Sequence, residues 1–190
     1  MKFVLASHNK KKLKEMADIL SKLGIEIELL PENAPEPEEN GTTFAENAKI
    51  KAFSAMEFTG LPAIADDSGL CVDALGGEPS IYSARYCEGT DEDRNNFLLS
   101  KMKGKENRKC HFACAICCAF PDGNIIESMG ECEGILLTES AGSGGFGYDP
   151  IFYVDEYKCT FGELSSEIKN KISHRAVALD EFKQKLRHFI

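Results

Sequence analysis

The chain has 190 residues, 43% hydrophobic and 28% charged, an ordinary balance for a globular protein with one full domain or two close lobes. Its net charge of −9 argues against a nucleic-acid polymer as partner, because such binders carry a basic field. No apolar run reaches the length of a membrane span, and MKFVLASHNKKK carries its charge after the apolar run rather than before it, so it does not read as a signal peptide; the expected compartment is the cytoplasm.

Phe3-Val4-Leu5-Ala6 predicts a first strand. Leu13, Met16, Ala17, Leu20 and Leu23 recur at helical steps and predict a helix over 9–23, with Gly24 suited to its end. Ile25 to Leu30 predicts a second strand, and the Pro- and Glu-rich stretch PENAPEPEEN a loop. Thr43-x-x-Glu46 is a capping-box pattern that opens a helix running to about Phe58. Leu61 to Ala65 predicts a buried strand that ends at two adjacent carboxylates, Asp66 and Asp67, with Ser68-Gly69 turning the chain away. Neighbours on a strand point to opposite faces, so one Asp can serve a site while the other bonds backbone or a basic neighbour.

Gly76-Gly77-Glu78-Pro79 breaks the chain, and Thr90 caps a helix from Asp91 to Met102. Cys110 to Phe120 and Ile125 to Gly130 predict a hairpin across Pro121-Asp122-Gly123-Asn124, followed by a separate strand at Gly134 to Leu137. Leu179, Phe182, Leu186 and Phe189 predict a final amphipathic helix. Strands alternating with helices early and hairpins in the middle indicate an α/β fold with a mixed sheet, organised as a single domain over 1–190. Eight cysteines raise a disulfide framework or a zinc site. HFACAICCAF reads instead as a buried strand in which Cys packs as a small hydrophobe, and a second Cys/His pair at zinc spacing is missing.

Four stretches carry candidate chemistry. Ser7-His8-Asn9-Lys10-Lys11-Lys12, between the first strand and the first helix, makes either an anion site with Lys12 reaching back to phosphate or a plain cap with a solvated lysine face. GSGGFGYDP contains G-x-G-x-x-G, but no helix opens after it, so a dinucleotide fingerprint is rejected. What remains is a Gly-rich loop exposing Phe146 and Tyr148 to stack on a flat ring, or a tight turn with those aromatics in the core. Lys169, Lys171, His174 and Arg175 form a second basic cluster, with Ser173 as cap of the last helix. Cations suit a helix start poorly, which points to a ligand use, against a solvated face. Carboxylates among Glu36, Glu38, Glu39 and Glu46, with Asp67, can hold Mg²⁺, which takes one or two carboxylates and completes its shell with water and phosphate oxygens.

Taken together, SHNKKK, FAENAKIKA, ADDSGLCVDAL, IYSARY, GGFGYDPIF and KNKISHR resemble the inosine triphosphatase family, the house-cleaning pyrophosphatases of non-canonical purine nucleoside triphosphates. The match keeps the family's order over nearly the whole chain. The resemblance implies Mg²⁺-dependent hydrolysis of ITP, dITP and XTP to the monophosphate and pyrophosphate. It also implies an elongated mixed sheet flanked by helices in two lobes, a nucleotide-binding cleft between them, and a homodimer. It implies that Ser7, Asn9, Lys10 and Lys12 bind phosphate, that Glu38 and Asp67 are the metal-associated acids, that Asp67 is the proton acceptor and that Ser68 touches substrate. Phe146, Gly147, Tyr148, Asp149, Lys169, His174 and Arg175 would form the base and ribose side. His8 stands where many members have Gly, and no role carries over to it.

Overall fold

The computed structural model describes residues 2–22 and 24–189; Leu23, the last member of the predicted helical series, lies outside the described residues. β1 (Lys2–Leu5) leads to α1 (Lys10–Lys22), whose Met16, Ile19 and Leu20 are buried, and then to β2 (Glu26–Leu29). β1 pairs with β2 in parallel, as a strand–helix–strand crossover requires. α2 (Phe44–Thr59) begins at Thr43, whose hydroxyl accepts from the Glu46 N–H at 3.2 Å. The Glu46 carboxylate turns to the N–H and hydroxyl of Thr42 at 2.6 and 2.9 Å, so the reciprocal half of the predicted box closes one residue early.

β3 (Ala63–Val72) departs from the sequence expectation. The strand does not stop at the paired aspartates, and Ser68-Gly69 makes no turn. Leu70, Cys71 and Val72 are buried, so apolar residues lie on both sides of the acids. Continuing the strand buries both sets, while basic partners compensate the charges. β3 pairs in parallel with β1.

Past a 3-10 turn at Asp73–Leu75 and a 3-10 segment at Ser80–Arg85, α3 (Asp91–Lys101) starts in a full capping box, Thr90 with Asp93. β4 (Lys109–Ala119) and β5 (Ile125–Leu136) follow. β5 is one strand of 12 residues, not the two predicted. Its two glycines allow close approach rather than a break. A Cβ on Gly130 would lie 2.2 Å from the His174 carbonyl oxygen and 2.3 Å from the Ala178 nitrogen, and one on Gly134 would lie 2.5 Å from the Phe152 ring. β6 (Phe152–Val154) pairs antiparallel with β5, and β7 (Cys159–Thr160) pairs antiparallel with β6. α4 (Ser166–Ile172), capped by Ser165, was not predicted, and α5 (His174–Phe189) ends the described chain.

The seven strands form one mixed sheet in the order β2-β1-β3-β4-β5-β6-β7, an α/β arrangement. The chain divides into two compact units, Met1–Asp67 with Cys114–Gly130 and His174–Ile190, and Ser68–Ala113 with Glu131–Ser173. In the first, Leu5, Leu20, Ile64, Ile116 and Phe182 belong to a core in which Cys114 and Cys118 pack like small hydrophobes. Burial pushes the Cys114 thiol up to about 12. In the second, the rings of Phe112, Phe152 and Phe161 meet at centroid distances of 4.5 to 5.9 Å, with Leu70, Leu98 and Ile151 around them. Among the described residues, no helix is long and apolar enough to cross a membrane.

Candidate active site

The segment after β1 is organised by its own short side chains. Ser7 Oγ accepts from the Asn9 N–H at 3.2 Å, and Asn9 Oδ1 accepts from the N–H groups of Lys11 and Lys12 at 3.0 and 3.2 Å. Asn9 therefore caps α1, taking two donors that a helix start can otherwise offer an anion. Lys10 is exposed at the first position of α1, and His8 is exposed before it. Lys12 extends inward, with Nζ 3.2 Å from Asp66 Oδ2.

The adjacent aspartates meet different helices. Asp66, 2% exposed, takes Nε and Nη2 of Arg175 on Oδ2 at 3.3 and 2.9 Å, besides Lys12. Arg175 also pairs with Glu15, so α1 and α5 join at this carboxylate. Burial alone would raise the Asp66 pKa, but Lys12, Arg175 and Lys51 together hold it well below the usual carboxylate range. Asp67 points to α2. Lys51 Nζ lies 3.0 Å from its Oδ1, and Asn47 Nδ2 donates to its Oδ2 at 3.4 Å. Here burial wins over Lys51 and Lys12 and raises the pKa. Two neighbouring carboxyls with pKa values driven apart are the arrangement from which acid–base roles are assigned.

The Pro-rich loop reaches the same place through Glu39, whose Oε2 lies 3.0 Å from Lys51 Nζ. Glu38 is exposed. Asn47 ties the loop down, because its Oδ1 accepts from the Gly41 N–H at 2.8 Å, and a Cβ on Gly41 would meet that oxygen at 2.6 Å. Lys51 thus holds a positive charge between two carboxylates; burial opposes that charge, but Asp66, Asp67 and Glu39 together keep its pKa raised. Among the described residues no three His, Cys, Asp or Glu side chains converge on a metal position. Two carboxylates already arranged around a cation are nevertheless an oxygen donor set that suits Mg²⁺, with water and phosphate supplying the rest.

In the second unit, Ser68 is half-buried on β3. The Gly-rich loop is anchored on Asp149, 3% exposed, whose Oδ2 accepts from Lys169 Nζ at 2.7 Å and from the Phe146 N–H at 2.8 Å. Lys169 lies 4.8 Å from the centre of the half-buried Phe146 ring. The expected exposed aromatic pair is corrected at Tyr148, which is 4% exposed and donates its hydroxyl to the Ser83 carbonyl at 2.9 Å; its ring belongs to the core. Gly147 is held by Asp91 and Asn95. His174, at the start of α5 in the first unit, is buried.

Sequence reading singled out neither Lys51 and Asn47 nor Glu15, Asp91 and Asn95. Their signal was the spacing. Asn47-x-x-x-Lys51, Lys12-x-x-Glu15 and Asp91-x-x-x-Asn95 each put two polar groups on one helix face just after a cap.

The family model described as the Ham1 family matches residues 3–185. The chain is 52% identical over 185 residues to a dITP/XTP pyrophosphatase of Desulforamulus reducens, covering 94% of this chain and 92% of that one. It is 48% identical over 192 residues to a dITP/XTP pyrophosphatase of Haemophilus influenzae, covering 97% and 98%. Of solved structures, a HAM1 protein from Coxiella burnetii superposes with a TM-score of 0.89 at 40% identity and 99% coverage of both chains. The Staphylococcus aureus Ham1 protein superposes with a TM-score of 0.88 at 36% identity and full coverage of both.

Proposed function

The chain belongs to the Ham1 family, and from that premise we propose that it is a dITP/XTP pyrophosphatase that also takes ITP, removing non-canonical purine triphosphates as monophosphate and pyrophosphate. The observation that carries the reading is Asp67, a buried carboxylate held by Lys51 and Asn47 with its pKa raised, beside Asp66 with its pKa lowered. We assign the triphosphate to Lys12, Ser7, Asn9 and Lys10, and Mg²⁺ to Asp67 and the loop carboxylate. When bound, Mg²⁺ supplies positive charge for the triphosphate and polarises its phosphorus–oxygen bonds. Asp67 takes a proton from the attacking water as the new phosphorus–oxygen bond forms and the α–β anhydride bond breaks, with the electron pair leaving on pyrophosphate. Lys51 and Lys12 hold the charge that develops.

On the base side, Phe146 offers its ring, Asp149 and Lys169 fix the loop, and Ser68, Gly147 and the backbone around Tyr148 approach the sugar and base. His174 and Arg175 are assigned as donors toward the 6-oxo oxygen of hypoxanthine or xanthine, Arg175 being held by Asp66 and Glu15. Adenine carries an amino group at that position and would leave a buried donor unpaired, which discriminates strongly. The single domain over 1–190, the two-lobed cleft and the homodimer are parts of the same proposal. So is the cytoplasm, where eight free cysteines suit a reducing compartment.

A substrate panel of XTP, dITP, ITP, GTP, dATP, dUTP and methylated pyrimidine triphosphates, with and without Mg²⁺ and with pyrophosphate detected, tests the reading. Turnover is expected to be Mg²⁺-dependent, dominated by XTP, dITP and ITP, and to release pyrophosphate and monophosphate in equal amounts. Dominant pyrimidine turnover or stepwise phosphate release overturns it. The loop ligand is decided by paired variants. Because Glu39 shares Lys51 with Asp67, Glu39→Gln is expected to raise the Mg²⁺ concentration for half-maximal rate at least about tenfold, with Glu38→Gln close to wild type. The reverse outcome returns the role to Glu38.

A further inference from the structure

We propose that Asp91 and Asn95 form a clamp that positions the Phe146–Gly147 segment, and through it the ring that receives the purine base. This rests on the base-side assignment above. Asp91 and Asn95 stand one turn apart on the first two turns of α3, hence on one face. Both hold the same loop residue. The Gly147 N–H donates to Asp91 Oδ2 at 2.8 Å, and Asn95 Nδ2 donates to the Gly147 carbonyl at 3.2 Å.

Each partner is itself fixed. Asp91 gives its other oxygen to Arg94 Nη2 at 2.8 Å, the Thr90–Asp93 box sets where the helix begins, and Asn95 is 3% exposed. An aspartate at a helix start is already favoured by the helix dipole, so a purely local role does not require Gly147. The loop requires the clamp more. Gly144, Gly145 and Gly147 leave it many conformations, and Gly147 sits at φ 60°, outside what most residues adopt. On its far side Asp149 holds the Phe146 N–H and Tyr148 holds the Ser83 carbonyl, so Gly147 is the point at which α3 completes the restraint. Ordering the ring before ligand arrives lowers the entropy lost on binding, which acts on affinity rather than on the chemical step. Asp91 and Asn95 are therefore positioning residues.

The test uses the full chain with Asp91→Ala, Asn95→Asp and the conservative Asp91→Asn. Asn95→Asp keeps the shape but replaces the N–H facing the Gly147 carbonyl with an oxygen. In the substrate-free protein, amide exchange at Gly147 is expected to accelerate at least about tenfold in Asp91→Ala and Asn95→Asp and to return toward wild type in Asp91→Asn, which keeps an acceptor. KM for dITP and XTP is expected to rise about tenfold in the first two variants with kcat within about twofold. The exchange readout needs no activity. If the wild type hydrolyses no purine triphosphate, the functional reading fails while the clamp is still judged. Unchanged exchange in both disruptive variants overturns the clamp. Faster exchange with KM unmoved, or a loss confined to kcat, overturns its positioning role.

Discussion

Asp67→Asn is expected to lower kcat for dITP at saturating Mg²⁺ by about 10² to 10⁴, the range that a positioned general base contributes, without lowering Tm. The substitution preserves volume and an oxygen for Lys51, so the helix–strand contact survives. It removes the proton acceptor and one negative charge beside Glu39. The stability half follows from the sign of the shift. The folded pKa of Asp67 lies above its ordinary value, so the native state binds that proton more tightly than the unfolded chain does. The ionised carboxylate therefore costs stability at neutral pH, and the cost disappears as pH falls through the raised pKa. A neutral amide carries no such cost, so calorimetry at pH 7 should show a Tm at or above that of wild type. A variant that keeps more than about a tenth of kcat excludes Asp67 as base. A fall in Tm alongside the lost activity would mean that the residue acts through the fold.

Local signals were legible wherever one short-range interaction decides the structure. Thr43 and Thr90 cap their helices as their spacing indicates, and the spacing of Met16 and Leu20 marks the buried face of α1. The division between Asp66 and Asp67 was legible too, because strand alternation alone separates them. What failed depended on partners distant in sequence. β3 continues past its acids because Lys12, Lys51 and Arg175 neutralise them, and no local pattern ties those residues to positions 66 and 67. Gly130 reads as a breaker until α5 is brought to within contact of its missing side chain. Glu38 and Glu39 cannot be told apart by composition; Lys51, one turn past Asn47 on α2, pairs with Glu39 as well as with Asp67. Arg175 stands out in the sequence as a cation at a helix start, and in the fold Asp66 and Glu15 are the anions it pairs with.

That network also sets the largest stability effect. Arg175→Met keeps the apolar stem but removes a cation from two carboxylates, one of them almost completely buried. Removing one partner of a buried ion pair typically costs about 3–5 kcal/mol, so Tm is expected to fall by on the order of 10 °C for a chain of this size. The loss comes from the Arg175 charge withdrawn from Asp66 and Glu15 rather than from lost packing, so Arg175→Met with Glu15→Gln should recover part of it. The pH dependence checks the cause. In wild type the Asp66 pKa is depressed, so its contribution is complete above the ordinary carboxylate value of about 3.9 and is lost only as pH falls through the depressed folded pKa. In the variant Asp66 keeps Lys12 but loses Arg175, its pKa moves up, and ionisation there becomes less favourable. The stability gap between the two proteins should therefore be widest near pH 7 and narrow steadily below pH of about 4. A gap independent of pH would mean that Arg175 stabilises by shape. At a temperature where the variant stays folded, a rise in its KM for dITP separates the base-side role from the structural one, because a residue that only bolts α1 to α5 leaves KM where it was.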